Sequence, residues 1–164
     1  MMLDDETAAL FKRAEKHHLH PDPPQTTLLD RAGVEAHLPQ RDLLLLVDRV
    51  RLWEGGTIVA GYDLARAGEV FRGHFPGKPL FPGVLQIEAI GQAGVLLHLL
   101  GSPERIEAVT LTHVRAARFH RPVEPGEELV LMAQVIEDGL FFTVVGQCLQ
   151  RGEICSAAAV SGLL

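Results

Sequence analysis

The segment 84–100 constrains the fold most, because its apolar and small residues leave no polar side at helical spacing: Val84, Leu85, Ile87, Ala89, Ile90, Ala93, Val95, Leu96 and Leu97 fall on every face. A helix apolar all round is a buried helix. Gln86, Glu88, Gln92 and His98 interrupt the run, so it falls short of a membrane span. Pro82 suits the first helical turn, where its missing N–H would be unpaired anyway. Gly101 followed by Ser102-Pro103 marks the end. Gly91 and Gly94 each lower helix propensity by about 1 kcal/mol relative to Ala. Close approach of sheet or partner backbone is the expected reason for them.

The rest of the chain supplies the wrapping. Strands are expected at 48–53 and 57–64, joined by Glu54-Gly55-Gly56, whose glycines can take positive φ in a hairpin. Before them, 43–47 is a continuous apolar run that suits a strand or a buried helical turn. After the helix, 106–119 is mixed and ends in RFHRPVEPGEEL. Three strands follow at 128–137, 140–150 and 153–160, separated by Asp138-Gly139 and Arg151-Gly152. The second half therefore reads as a meander of long antiparallel strands. A buried helix with such a meander predicts an α+β architecture, one long central helix wrapped by an antiparallel sheet.

At the start, Asp4 or Asp5 can cap a short helix with Leu3, Thr7, Leu10, Phe11 and Ala14 near one face, and PDPPQ reads as a stiff linker. Residues 1–25 thus form a helical extension with a Pro-rich linker, and 26–164 a single domain. The first twenty residues are acidic and only patchily apolar, which fits neither a signal peptide nor a span, so a soluble, cytoplasmic protein is expected. A net charge of −6 gives no general attraction to nucleic acid or anionic lipid. Cys148 and Cys155 lack metal-ligand spacing and read as reduced small hydrophobes. His17, His18 and His20 have no acid or cysteine at suitable spacing, so no metal site is expected.

Chemistry concentrates in GHFPGKPLFPGVLQIEAIGQAG, residues 73–94. A carboxylate inside an apolar helix must be hydrogen-bonded, protonated or at a cavity edge. Gln92, at i+4 from Glu88, can reach it. A Glu–Gln pair at an oligomer seam, with no chemistry, fits the periodicity equally well. His74 between Gly73 and Phe75-Pro76 is by itself a loop residue. Together they offer more: a neutral His can act as base, and a carboxylic acid kept protonated by burial can act as acid. The Gly83 amide at the helix start can point at a bound carbonyl. Those parts can remove a proton α to a carbonyl and expel a β-substituent.

The residues Val70-Phe71-Arg72-Gly73-His74-Phe75-Pro76-Gly77-Lys78-Pro79, Pro82-Gly83-Val84, Glu88-Ala89 and Gln92-Ala93 resemble the FabZ-type (3R)-hydroxyacyl-acyl carrier protein dehydratases, which have the hot-dog fold. The resemblance takes in Leu38-Pro39-Gln40-Arg41, 45–50, 118–123 and Pro125-Gly126-Glu127, and spans about residues 37 to 160. It implies His74 as catalytic base and Glu88 as acid, drawn from different subunits of a homodimer with shared active sites. It further implies Gly83 N–H as donor to the thioester carbonyl, the Leu80 carbonyl as holder of the His74 ring, and Gln92 as the group that orients Glu88. No cofactor is implied, and further association into a trimer of dimers is left open. Glutamate at 88 resembles the FabZ type rather than the isomerising FabA type, which has aspartate there. Position 40 is Gln where the family usually has His, and Asp42-Leu43 replaces an aromatic-proline pair.

The implied activity is conversion of a 3-hydroxyacyl thioester to the trans-2-enoyl thioester in fatty acid or related lipid biosynthesis. A hot-dog thioesterase, or a non-catalytic carrier-protein or heteromer partner, are the alternatives. Acyl carrier proteins are acidic, so a local basic patch is needed to dock one. The window between Glu107 and Glu124 has no acid and holds Arg115, Arg118 and Arg121, with Lys78 as an addition from the loop. A solvated strand face accounts for these charges equally well.

Overall fold

The computed structural model describes residues 3–102, 106–138 and 141–163. Helix α1 (Asp5–Ala14) is capped by Asp4, whose side chain accepts from the Thr7 amide at 2.8 Å. A short helix α2 (Arg31–Glu35) precedes strands β1 (Arg49–Glu54) and β2 (Thr57–Asp63). Their hairpin turns on Gly55 and Gly56, with φ of 57° and 71°. Helix α3 (Gly68–Gly73) leads through the His74 loop to α4 (Gly83–Leu100), and β3 (Thr110–Phe119), β4 (Glu128–Asp138), β5 (Phe141–Gln150) and β6 (Glu153–Leu163) complete the chain. Arg151 and Gly152, at φ 53° and 78°, make the two-residue β5–β6 turn. The expected Asp138-Gly139 turn lies partly, and Pro103 wholly, outside the described residues.

Among the described residues the strands form one antiparallel sheet in the order β1-β2-β4-β5-β6-β3. The meander expected of the second half is therefore real for β4, β5 and β6, but β3 lies beside β6 and not beside β4. The polar mixture in β3 suits a strand at the sheet edge, where one side of the ladder stays unpaired. The run 43–47 is no strand: a 3-10 turn at Asp42–Leu44 leaves Leu43 and Leu44 exposed and sends Leu45, Leu46 and Val47 into the core.

Strand alternation divides β5 between two cores. Val144, Gly146 and Cys148 face α4, and close contact explains two glycines there. A Cβ on Gly94 would run into the Val144 side chain, and one on Gly146 would lie 2.7 Å from both Ile90 Cγ2 and the Met132 carbonyl oxygen. Val145 and Leu149 face outward, where Phe11, Ala14 and Leu19 cover them. Between them Gln147, fully buried, donates to the carbonyls of Ala14 (2.6 Å) and His17 (3.1 Å) and accepts from the Leu19 amide (2.7 Å). The N-terminal helix is thus seated on the outer face of the sheet. Burial pushes the Cys148 thiol up to about 12, so this free cysteine stays an unreactive apolar filler.

Helix α4 packs on β4, β5, β6 and β2. By length and composition it could cross a membrane, but half of it is buried against the protein itself. It is not covered on all faces, as its sequence predicted. Val84 is 71% exposed, and Leu85, Ile87, Glu88 and Gly91 are only partly buried, so an apolar strip lies open. Gly101 ends the helix at φ −91°, in the right-handed region, with tightened bonds from its own N–H to His98 O and from Ser102 N–H to Leu99 O; the left-handed glycine cap is absent.

Candidate active site

His74 follows α3 directly, its amide donating to the Val70 carbonyl at 2.9 Å. Phe71 anchors that helix by packing on Phe81, which in turn meets Tyr62, with ring centroids 6.0 and 5.9 Å apart. The loop that follows closes on itself. Phe75 and Lys78 exchange backbone bonds at 3.1 and 3.0 Å around Gly77 at φ 79°, and the Leu80 amide donates to the His74 carbonyl at 2.7 Å. The His74 ring stacks on Phe75 with centroids 4.0 Å apart. Its Nδ1 lies 2.9 Å from the Leu80 carbonyl oxygen. A carbonyl only accepts, so Nδ1 carries a proton, and in the neutral ring this leaves the lone pair on Nε2, the tautomer a general base requires.

Phe81 N–H donates to the Val123 carbonyl at 2.8 Å, which fixes the entry into α4. Gly83 is the first helical residue, so its N–H has no partner within the helix. The Phe119 ring covers it so closely that a Cβ would sit 2.7 Å from the ring edge. His74, Leu80 and Gly83 therefore line one open cleft, together with Gln86, Phe119, His120, Arg121 and Pro122. Gln86, 3% exposed, is a wall of this cleft that periodicity marked only as an interruption of the apolar run.

Glu88 lies elsewhere. It borders a smaller recess of about 60 Å³ between α4 and the β5, β6 and β3 side of the sheet, lined also by Gln40, Gly91 and Gln92 and shared with no residue of the His74 cleft. Gln92 Nε2 donates to Glu88 Oε1 at 2.8 Å, the i,i+4 contact. The same amide donates to the Leu44 carbonyl at 2.7 Å, and its Oε1 accepts from the Leu46 amide at 2.8 Å. Gln92 is 2% exposed, so this brace is shielded from water. Within one chain the structure brings Glu88 to Gln92 and His74 to Leu80 and Gly83. It does not bring His74 to Glu88.

The basic residues are dispersed. Arg115 is half-buried and hydrogen-bonds the Ser161 hydroxyl. Arg118 reaches Glu15 after α1 at 3.5 Å, and Arg121 pairs with Glu153 at 3.3 Å beside the His74 cleft. Lys78 is exposed on the His74 loop. Among the described residues no cluster of His, Cys, Asp and Glu could hold a metal ion; His18 contacts the Gly152 carbonyl at 3.0 Å instead.

Residues 38–153 match the family model described as the FabA-like domain. The chain is 42% identical over 114 residues to the 3-hydroxyacyl-acyl-carrier-protein dehydratase FabZ of Janthinobacterium sp. (strain Marseille), covering 67% of this chain and 73% of that one. With the enzyme of the same name from Anaeromyxobacter sp. (strain K) it shares 37% identity over 142 residues, 84% of this chain and 91% of the relative. In structure it is similar to the dehydratase heterocomplex ApeI:P of Xenorhabdus doucetiae, with TM-score 0.68, 18% identity and coverage of 79% and 89%. It also resembles a mutant thioesterase PA1618 of Pseudomonas aeruginosa, with TM-score 0.58, 14% identity and coverage of 87% and 97%. At these identities the structural matches establish the hot-dog fold alone.

Proposed function

The chain belongs to the FabA-like family, and from that premise we infer that it is a dehydratase, removing water from a 3-hydroxyacyl thioester in fatty acid biosynthesis. The observation that carries the chemistry is the His74 ring held by the Leu80 carbonyl, with Nε2 left free to accept a proton. The thioester oxygen takes a hydrogen bond from Gly83 N–H, which stabilises the negative charge that develops there. His74 Nε2 accepts the α-proton. The electron pair left on Cα forms the new double bond, the Cβ–O bond breaks, and Glu88 gives its proton to the departing hydroxyl. Water and a trans-2-enoyl thioester leave; Glu88 is then a carboxylate and His74 an imidazolium, and proton exchange resets both.

For this to occur the two groups must share a site, so we place His74 of one subunit against Glu88 of its partner in a homodimer. The separate recesses support this reading. So do the open strip on α4 and the unpaired edge of β3, where Leu111, Val114 and Phe119 are exposed. The apolar lining beyond Glu88, including Val95, Phe142 and Val160, suits an alkyl chain. Helix α4 is spent on the sheet rather than on lipid, in keeping with a cytoplasmic enzyme. Incubation with (3R)-hydroxyacyl thioesters of several lengths tests the reaction. Growth of conjugated enoyl absorbance is expected, whereas release of free thiol would mark a thioesterase.

The substrate reaches the site on an acyl carrier protein in this reading. Since Arg115 is half-buried against Ser161, docking falls to Arg121, exposed at the His74 cleft where it pairs with Glu153, and to Lys78, exposed on the His74 loop, with Arg118 farther out. Arg121→Glu with Lys78→Glu is expected to raise KM for the carrier-bound substrate about tenfold while leaving a small thioester substrate unaffected. Equal effects on both substrates would exclude these residues as a docking surface.

A further inference from the structure

Gln40 lines the Glu88 recess, and its amide oxygen is unused. Its loop is fixed on both sides. The Arg41 guanidinium donates to the carbonyls of Glu35, Leu38 and Gln40 at 2.8, 2.6 and 2.7 Å, and Gln92 grips Leu44 and Leu46 just beyond. Because Gln92 also holds Glu88, a single buried side chain sets the placement of the loop bearing Gln40 relative to the carboxyl. Gln40 Oε1 is itself buried, with no hydrogen-bond partner among the described residues. A buried polar atom left unpaired loses the hydrogen bonds it would make in water, which favours a partner in the working state.

That oxygen can only accept, so its partner must bring a hydrogen. Within the recess only the Glu88 carboxyl could bring one, and the elimination spends that proton on the departing hydroxyl; the Gln92 amide is already committed, the Ser161 hydroxyl is engaged with Arg115 and Thr143, and Val95, Leu111, Phe142 and Val160 are apolar. Taking the dehydratase reading as given, the acyl part of the substrate carries one donor, the O–H of its 3-hydroxyl. At about 60 Å³ the recess has room for that hydroxyl or the departing water, whose share of liquid volume is about 30 Å³.

We propose that Gln40 Oε1 accepts a hydrogen bond from the substrate's 3-hydroxyl, making Gln40 the residue that selects hydroxylated over unhydroxylated acyl thioesters. The bond also turns a lone pair of the hydroxyl oxygen toward Glu88. During elimination the hydrogen held by Gln40 stays on that oxygen, Glu88 supplies the second, and water leaves with both; nothing covalent changes at Gln40.

The test is calorimetric titration in a His74→Ala background, which leaves the Glu88 recess intact and removes the base. Binding of a (3R)-hydroxyacyl thioester is compared with that of the unsubstituted acyl thioester of equal length. Gln40→Met, similar in size but without the acceptor, is expected to weaken the hydroxylated ligand about five- to tenfold and leave the other unchanged. Gln40→Glu, which keeps an acceptor at the same reach, retains the preference. Should Gln40→Met fail to fold, Gln40→Asn shortens the reach and gives the same comparison. Equal losses for both ligands, or no loss for either, overturns the proposal. Absence of dehydration by the unmodified protein would instead reject the dehydratase reading, and the binding comparison would still report on Gln40.

Discussion

His74→Ala is expected to lower turnover of a 3-hydroxyacyl thioester by about three orders of magnitude, and Glu88→Gln by a comparable factor, with neither change moving the melting temperature appreciably. The kinetic loss follows from the division of labour: without Nε2 the α-proton has no acceptor, and without the carboxyl the hydroxyl must leave as hydroxide. Stability is spared because neither side chain fills the core. The His74 ring lies partly buried on its own loop, whose neck is still closed by the Leu80 amide to the His74 carbonyl. Glutamine at position 88 can still meet the Gln92 amide. The loss should fall on kcat rather than KM, since both groups act on atoms that change charge only in the transition state. Near-normal turnover in either variant would remove that residue from the mechanism.

Gln92→Leu should damage both stability and rate. The substitution leaves the buried Leu46 amide without its acceptor and the Leu44 carbonyl without its donor, at an expected total cost of about 2–4 kcal/mol. It also frees Glu88 to rotate away from Gln92. A misplacement of about 1 Å at a reacting group can cost about a hundredfold in rate, so activity should fall well beyond what partial unfolding explains. Denaturant titration and kcat measured on the folded fraction separate the two effects. A stable Gln92→Leu protein with unchanged kcat would show that the brace serves neither purpose.

The chain announces its architecture through a few local signals. Asp4 caps α1, Gly55-Gly56 and Arg151-Gly152 form their hairpins, and Pro82 with an apolar run makes α4. These are short-range effects, decided by φ preference, capping and periodicity. Long-range placement was hidden. Nothing local tells β3 to pair with β6 across the sheet, since its mixed residues would suit any edge. Helix α3 begins and ends in glycine and exists because Phe71 packs against Phe81, a contact ten residues away. The seat of α1 depends on Gln147, an amide in the middle of a largely apolar strand whose partners lie over a hundred residues upstream. The site was legible in the same uneven way. The Glu88–Gln92 contact is helical arithmetic, whereas the Leu44 and Leu46 bonds that complete the brace, and the orphaned oxygen of Gln40, appear only when distant segments meet.

The central claim, that His74 of one subunit works with Glu88 of another, is tested most directly by mixing the two inactive proteins. Co-expressed His74→Ala and Glu88→Gln chains, differently tagged so that hybrids can be purified, should form dimers with one site carrying both substitutions and one carrying neither. Random pairing is then expected to restore about a quarter of wild-type activity, and purified hybrids about half. If His74 and Glu88 of the same chain formed each site, every site would lack one group. The mixture would then stay as inactive as either parent.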